Sequence, residues 1–425
     1  MVDKLNKQVG VFSGKSKIDV PGVEQNLVYF KYKRGVRLAN RLLSSYKKKQ
    51  FDSKELIEQA VKRTGLDDFG NEFFIEPLNA LVEDLNRSTP FHPLGAFLYA
   101  QKLTQNLVNR LWAQYWLKRE PGIKTSLPPA LMITGLQRTG TTFLQRLLGS
   151  LPEFRGVISW EIINPVPTSQ NRTYYGKYHA WLGHFALNYI NPEMKSIHSI
   201  GYDALEEEVV LMEHSFMSSV IEASMSVPNY GLWLEQQDQT MAYRDLKMWL
   251  QFLLWRLPAP EYLLLKSPHH MEYLETFNKV FPNTHIIQMH RDPKETMASF
   301  CSMSHVAKKI FQPHSDTYEV GRHWLRKNQR LIYRCMEYRS NHNSNFTDIA
   351  YKDLTADPIS TVKMIYQKLQ LEWTPAHLKI ANSFREQHRK NKFGKHHYTL
   401  ADYGLSVDQI AKAFGEYYDR YGAYL

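Results

Sequence analysis

Two cysteines in 425 residues, Cys301 and Cys335, exclude a disulfide framework and a cysteine-based metal centre. No stretch approaches the ~20 uninterrupted apolar residues that a membrane-spanning helix needs. The opening residues, MVDKLNKQVGVFSGKSKIDV, have no signal-peptide apolar core, so a reducing, cytoplasmic setting is the expectation. There is no solenoid-type repeat and no low-complexity tract, which excludes repeat scaffolds and disordered linkers as the main body. What is present is 43% hydrophobic and 13% aromatic residues, enough apolar material for an enzyme-sized core.

A formal charge of +11 has three candidate uses: nucleic acid, an anionic membrane or an anionic cofactor. Part of it is concentrated between residues 24 and 50. There Lys31, Lys33, Arg34, Arg37, Arg41, Lys47, Lys48 and Lys49 surround Val28, Tyr32, Ala39, Leu43 and Tyr46 at near-helical spacing. This segment reads as a surface helix packed by one stripe, with peripheral membrane contact as its other reading.

Residues 1–125 read as a helical region packing on or capping the core. Apolar positions recur with helical period over 54–63, 73–86 and 94–118, with breaks at Gly65, Gly70, Pro90 and Pro93. From 126 to 425 the texture changes. Short apolar runs at 130–134, 262–265, 285–289 and 346–351 each lead through a loop into an amphipathic stretch. That alternation predicts an α/β domain, a parallel sheet flanked by helices, with its ligand at the C-terminal ends of the strands.

The first such loop, GLQRTGTT from Gly135 to Thr142, has the glycine spacing of a nucleotide phosphate loop. A nucleoside triphosphatase would carry Lys at 141 and a magnesium-binding Ser or Thr after it. Here Thr141 and Thr142 stand together and the cation has moved to Arg138. No apolar strand ends in the Asp of a magnesium-water site either, since YLLLK ends in Lys266. A kinase using the same loop is therefore the weaker reading, and no metal is expected. A basic protein that binds nucleic acid or another anionic surface is weaker still, because the cations sit in strand-end motifs rather than along one aromatic-studded face.

These motifs together resemble the sulfotransferases that use 3′-phosphoadenosine 5′-phosphosulfate (PAPS). The family's loop reads Lys or Arg, then Ser, Gly, Thr, Thr; RTGTT stands here at Arg138 to Thr142. The family also places Arg and Ser eight residues apart to grip the 3′-phosphate, matched by Arg291 and Ser299 in HRDPKETMAS. Tyr351 in YKDL matches a tyrosine near the adenine or 3′-phosphate, and RKNKFGKHHYTLADYGL resembles the basic loop over that phosphate, with Lys392 and Lys395 as its contacts. TGLDDFGNEFF, LKSPHH and HHYTLADYGL are similar to the bacterial-type branch. The departures are Arg138 in place of the commoner Lys and Asn391 within the basic loop.

The resemblance implies that Gln137, Arg138, Thr139, Gly140, Thr141 and Thr142 bind the 5′-phosphosulfate, and that no metal takes part. Transfer by in-line displacement needs cations on the departing oxygen, for which Arg138 and Lys266 are the candidates. It also needs a base for the acceptor hydroxyl, or less readily an amine. Glu161 in ISWEIINP and His198 in IHSIGYDALEEE are both candidates, with Glu206 and Glu207 placed to orient the latter. Aromatic density around residues 160–240, including Trp160, Tyr174, Tyr175, Tyr178, Trp181 and Trp233, is compatible with an apolar acceptor and equally with core packing. A small molecule, a lipid and a glycan all stay open.

Overall fold

The computed structural model describes residues 24–45, 50–169, 176–194, 201–255, 259–387 and 398–425. Its strands are β1 (Leu27–Tyr29), β2 (Ala130–Gly135), β3 (Phe154–Arg155), β4 (Val157–Ile158), β5 (Leu205–Glu206), β6 (Tyr262–Lys266), β7 (His285–His290), β8 (His314–Asp316) and β9 (Phe346–Ala350). Five form the central sheet, in the order β3-β6-β2-β7-β9, with every neighbouring pair parallel. The other four make two small antiparallel pairs, β1 with β8 and β4 with β5.

The central strand β2, ALMITG, is buried at every position. Its successive side chains enter two different cores. Ala130 and Met132 join a large cluster shared with the N-terminal helices, whereas Leu131 and Ile133 join a smaller one with Leu144, Leu148 and Ile365. A parallel strand covered on both faces requires an unbroken apolar run, and this explains why β2 shows no alternation. Pairing sets the site: Ile133 is level with Lys266 of β6, and Gly135 with Met289 of β7. Lys266 and the loop after β7 thus flank the loop after β2.

The N-terminal helices are α1 (Arg34–Leu42), α2 (Ser53–Thr64), α3 (Ile75–Ser88) and α4 (Pro93–Arg119). Each of the last three coincides with a periodic stretch seen in the sequence, and local chemistry marks its ends. Asp52 caps α2 by accepting from the Glu55 N–H at 2.9 Å, and Gly65 closes it at φ 68°. His92 caps α4 ahead of Pro93 by accepting from the Gly95 N–H at 3.0 Å. Leu56, Leu78, Leu85, Leu107 and Leu111 from these helices bury in the same cluster as Met132 and Leu265 of the sheet.

The basic segment departs from the single packed helix expected of it. Residues 27–29 pair with β8, and only the short α1 follows, with Val36 its one buried residue. The Asn26 N–H donates to Asp316 Oδ1 at 3.0 Å, and the Tyr32 hydroxyl donates to the Lys309 carbonyl at 3.0 Å. These tertiary bonds hold the chain extended where side-chain spacing alone suggested a helix. Tyr46 and Lys47 to Lys49 lie outside the described residues.

Candidate active site

From β2 the chain turns through Gly135, Leu136, Gln137, Arg138, Thr139 and Gly140 into α5 (Thr141–Leu148). Gly135 has φ 139°, and a Cβ there would lie 2.5 Å from the Met289 carbonyl oxygen; Gly140 has φ 93°, and its Cβ would meet the Tyr351 ring at 2.9 Å. Both positions therefore need glycine. Gly140→Ala is expected to destabilise the fold by ~2 kcal/mol and to weaken nucleotide binding, as chemical denaturation and titration of the variant would show.

Arg138, without a glycine's freedom, sits at φ 68°, a conformation that costs ~1–2 kcal/mol. Three bonds hold it there. Arg291 Nη1 donates to the Arg138 carbonyl at 3.0 Å, Arg138 Nε donates to Ser299 Oγ at 3.1 Å, and Thr139 Oγ1 donates to the Leu136 carbonyl at 2.6 Å. Burial pulls the Arg138 guanidinium below its usual value, and Arg291 adds to this while Tyr398 and Tyr351 oppose it. No described side chain caps α5, so its first-turn N–H groups face the loop as an anion site. Gln137 Oε1 is buried in this loop without a hydrogen-bond partner among the described residues. A flip of that amide would present N–H groups instead.

Arg291 follows β7, with its guanidinium 4.0 Å from the centre of the Tyr351 ring and its Nε 3.0 Å from Glu295 Oε2. The preceding residue anchors it. His290 lies 2.7 Å from Asp348 Oδ1 and 2.9 Å from the Tyr417 hydroxyl, and stacks on Tyr421. Asp348 also takes two bonds from Arg339, at 2.6 and 2.9 Å. Burial would raise the Asp348 carboxyl, but the bonds from Arg339 and His290 outweigh it and hold it well below the carboxylate range.

Across the loop, Lys266 is 1% exposed at the end of β6. Its Nζ lies 2.6 Å from Glu207 Oε1 and 3.4 Å from Thr142 Oγ1. Glu207 Oε2 accepts from Ser267 Oγ at 3.0 Å, and the Glu207 side chain keeps 28% of its surface exposed. The Lys266 N–H donates to Glu208 Oε2 at 2.8 Å, and Glu208 Oε1 meets His270 Nε2 at 2.6 Å, backed by the Tyr243 hydroxyl at 2.9 Å. Thr134 Oγ1 donates to the Ser267 carbonyl at 2.9 Å and fixes this turn to β2.

Arg138, Arg291, Ser299 and Tyr351 therefore converge on one side of the loop, and Thr142 and Lys266 on the other. Glu161 does not join them. In α6 (Ser159–Ile163) it is 1% exposed, with Oε2 accepting the Ile158 N–H at 3.0 Å and Oε1 paired to Arg155 at 2.5 Å. Both oxygens are thus occupied, one in closing the helix N-terminus and the other in the ion pair with Arg155. The carboxylate that touches Lys266 is Glu207 instead, which the sequence reading placed only as a partner for His198. Three consecutive acids ahead of VVLM were the available signal, since an apolar setting obliges each carboxylate to find a partner. His198, Lys392 and Lys395 lie outside the described residues. Among those described, no group of three or more His, Cys, Asp or Glu side chains is arranged to hold a metal ion.

A glycine-bracketed strand-end loop with two arginines and a buried lysine beside it is suited to hold an anion during group transfer. Residues 129–375 match the Sulfotransferase family, more than half of the chain, and the chain belongs to that family. It is 23% identical over 349 residues to the omega-hydroxy-beta-dihydromenaquinone-9 sulfotransferases Stf3 of Mycobacterium bovis and Mycobacterium tuberculosis, a match covering 77% of this chain and 84% of theirs. The crystal structure of sulfotransferase STF1 from M. tuberculosis superposes with a TM-score of 0.72 at 28% identity, over 86% of this chain and 99% of that one. STF9 from Mycobacterium avium shares the fold at a TM-score of 0.77 and 24% identity, over 88% and 98% of the two chains.

Proposed function

We propose that this sulfotransferase takes the sulfuryl group of PAPS to a hydroxyl on an apolar, lipid-like acceptor, without a metal. The observation that carries the reading is the Lys266 ammonium, buried beside the anion loop and shared between Thr142 and Glu207. The donor set fits a doubly phosphorylated adenosine: cations and hydroxyls throughout, with glycines where the backbone must approach closely. Arg291 and Ser299, with Lys392 and Lys395, would hold the 3′-phosphate, with Tyr351 beside them; residues 137–142 would hold the 5′ end. PAPS supplies the activated sulfuryl group. Lys266 and Arg138 place positive charge where the departing oxygen becomes negative. Glu207, partly exposed to the crevice, accepts the acceptor's proton, and His198 is the other proposed base. The acceptor class rests on the Stf3 relatives, whose name specifies an ω-hydroxylated dihydromenaquinone.

The test is calorimetric titration with 3′-phosphoadenosine 5′-phosphate (PAP), with and without magnesium. Arg291→Ala is expected to weaken binding ~10²-fold or more, because charge-assisted bonds to phosphate contribute ~1.5–3 kcal/mol each. Absence of binding, or binding that needs magnesium, would overturn the assignment.

A further inference from the structure

The N-terminal segment and the helix α7 (Gly176–Ile190) share a surface that the nucleotide site does not use. On α7, Tyr178, Trp181, Leu182, Phe185 and Tyr189 stand on one face at helical spacing, with Tyr178 59% and Phe185 65% exposed. Tyr178, Trp181 and Phe185 form a ladder of stacked rings with centroids 6.3 and 6.4 Å apart. A globular helix turns such a stripe inward. Here it faces out, Leu187 on the other side is 42% exposed as well, and only Gly176, Ala180 and Ile190 of the helix are buried among its described residues.

The helix α1 has the same character beside it. Arg34, Arg37 and Arg41 share its exposed side with Leu38, 57% exposed, and Leu42, 76% exposed. The two helices meet: the Lys33 ammonium lies 4.9 Å from the centre of the Tyr189 ring, and Gly35 packs so closely that a Cβ would come within 2.5 Å of the Tyr189 hydroxyl. An open cavity of about 400 Å³ lies at the junction, lined by Lys33, Trp181, Phe185, Tyr189 and Tyr202 among others. Tyr202 precedes Glu207 by five residues, which span at most ~18 Å of chain.

We propose that the α1–α7 surface docks on an anionic lipid bilayer. The rings and leucines enter the interface, the arginines and Lys33 meet anionic headgroups, and a membrane-resident hydroxylated acceptor reaches Glu207 through the cavity; this last step rests on the lipid-acceptor reading above. Charge decides the occupant. A second copy of the chain seated symmetrically on this face would oppose two sets of Lys31, Lys33, Arg34, Arg37 and Arg41, whereas an anionic membrane neutralises them.

The full chain is mixed with sedimentable vesicles of phosphatidylcholine alone or with about one-third phosphatidylglycerol, without donor or acceptor. The chain is expected to pellet ~10-fold more with the anionic vesicles. Trp181→Glu/Phe185→Glu is expected to abolish pelleting, and Arg34→Ser/Arg37→Ser/Arg41→Ser to remove the anionic preference. Unchanged PAP affinity in both variants shows that they fold. The proposal is overturned if the native chain stays in the supernatant, if Trp181→Glu/Phe185→Glu pellets equally, or if sizing shows a dimer that this double variant dissociates and no vesicle binding. Pelleting and PAP binding are independent readouts, so failure of one leaves the other reading standing.

Discussion

Lys266→Ala is expected to lower kcat ~10²–10³-fold while changing PAP affinity by less than ~10-fold. The asymmetry follows from where the charge is needed. In the proposed mechanism Arg138, Arg291 and the first turn of α5 would already hold the anion in the ground state, so a missing ammonium would be felt most as the departing oxygen gains charge. Lys266 is 1% exposed, so water screens its charge little. Lys266→Arg is not expected to rescue, because a planar fork does not replace a point charge seated between Thr142 and Glu207. Single-turnover rates with equilibrium PAP titration separate the two effects, and an equal loss in both would remove Lys266 from the chemistry. Glu207→Gln keeps one oxygen to accept from Lys266 but replaces the other with an N–H donor, so the bond from Ser267 is lost or reversed, and the basicity is removed. It is expected to slow turnover ~10²-fold and to erase the acidic limb of the pH–rate profile. A profile that keeps its acidic limb would reduce Glu207 to a positioning group for Lys266 and leave His198 as the base.

Below neutral pH the fold is expected to lose stability steeply, by up to ~4 kcal/mol per pH unit, well before its carboxylates titrate. Three buried histidines cause this. Burial pulls His92 down to about 4 and His214 to about 3, and holds His269 well below the ordinary value of 6.5. His92 has partners suited to a neutral ring: it accepts from the Gly95 N–H on Nδ1 and lies 3.1 Å from the Ile310 carbonyl on Nε2. As pH falls through 6.5 the unfolded chain takes up protons that the folded chain refuses. The unfolded state then binds more protons, and each histidine lowers stability by ~1.4 kcal/mol per pH unit until its folded value is reached. Glu235 and Asp348 act later and in the same direction. Burial alone would raise Glu235, but Lys327 and Arg326 bring it down to about 2, so its contribution holds above the unfolded carboxylate value and is lost below it. Urea unfolding between about pH 7 and about pH 5 reads the slope. His92→Asn retains a good helix cap without the titration, and should remove ~1.4 kcal/mol per pH unit of it. An unchanged slope would show that His92 does not contribute.

The sequence made the strand-end loops and their cations legible and the carboxylates around Lys266 much less so. Strand β2 announces itself because its run Ala-Leu-Met-Ile is apolar throughout and buried on both faces, and a glycine on either side of Arg138 marks a tight loop after it. Lys266 and Arg291 could be read as strand-end cations, since each ends or directly follows an apolar run. Glu161 misled because a carboxylate just inside a helix start looks the same in sequence whether it closes the helix or enters a crevice. The distinction depends on Arg155, which only the fold brings to it. Glu207 was obscured by its neighbours: Glu206, Glu207 and Glu208 are equivalent in one dimension, yet Glu206 belongs to β5, Glu207 to Lys266 and Glu208 to the Lys266 amide and His270. The strand at 27–29 was unreadable because its partner lies almost 290 positions away, and no local pattern carries that information.

The order of the central sheet also sets a timetable for synthesis. Gly135 pairs with Met289, 154 positions later, and Ala130 with Leu263, so β2 leaves the ribosome long before either neighbour exists. At ~5–20 residues per second, the apolar run Ala-Leu-Met-Ile waits roughly 8–30 s for its second flanking strand. During that interval it is held only by what the N-terminal helices can cover. The yield of active enzyme in a cell should therefore follow translation speed and chaperone supply more closely than the stability of the finished fold.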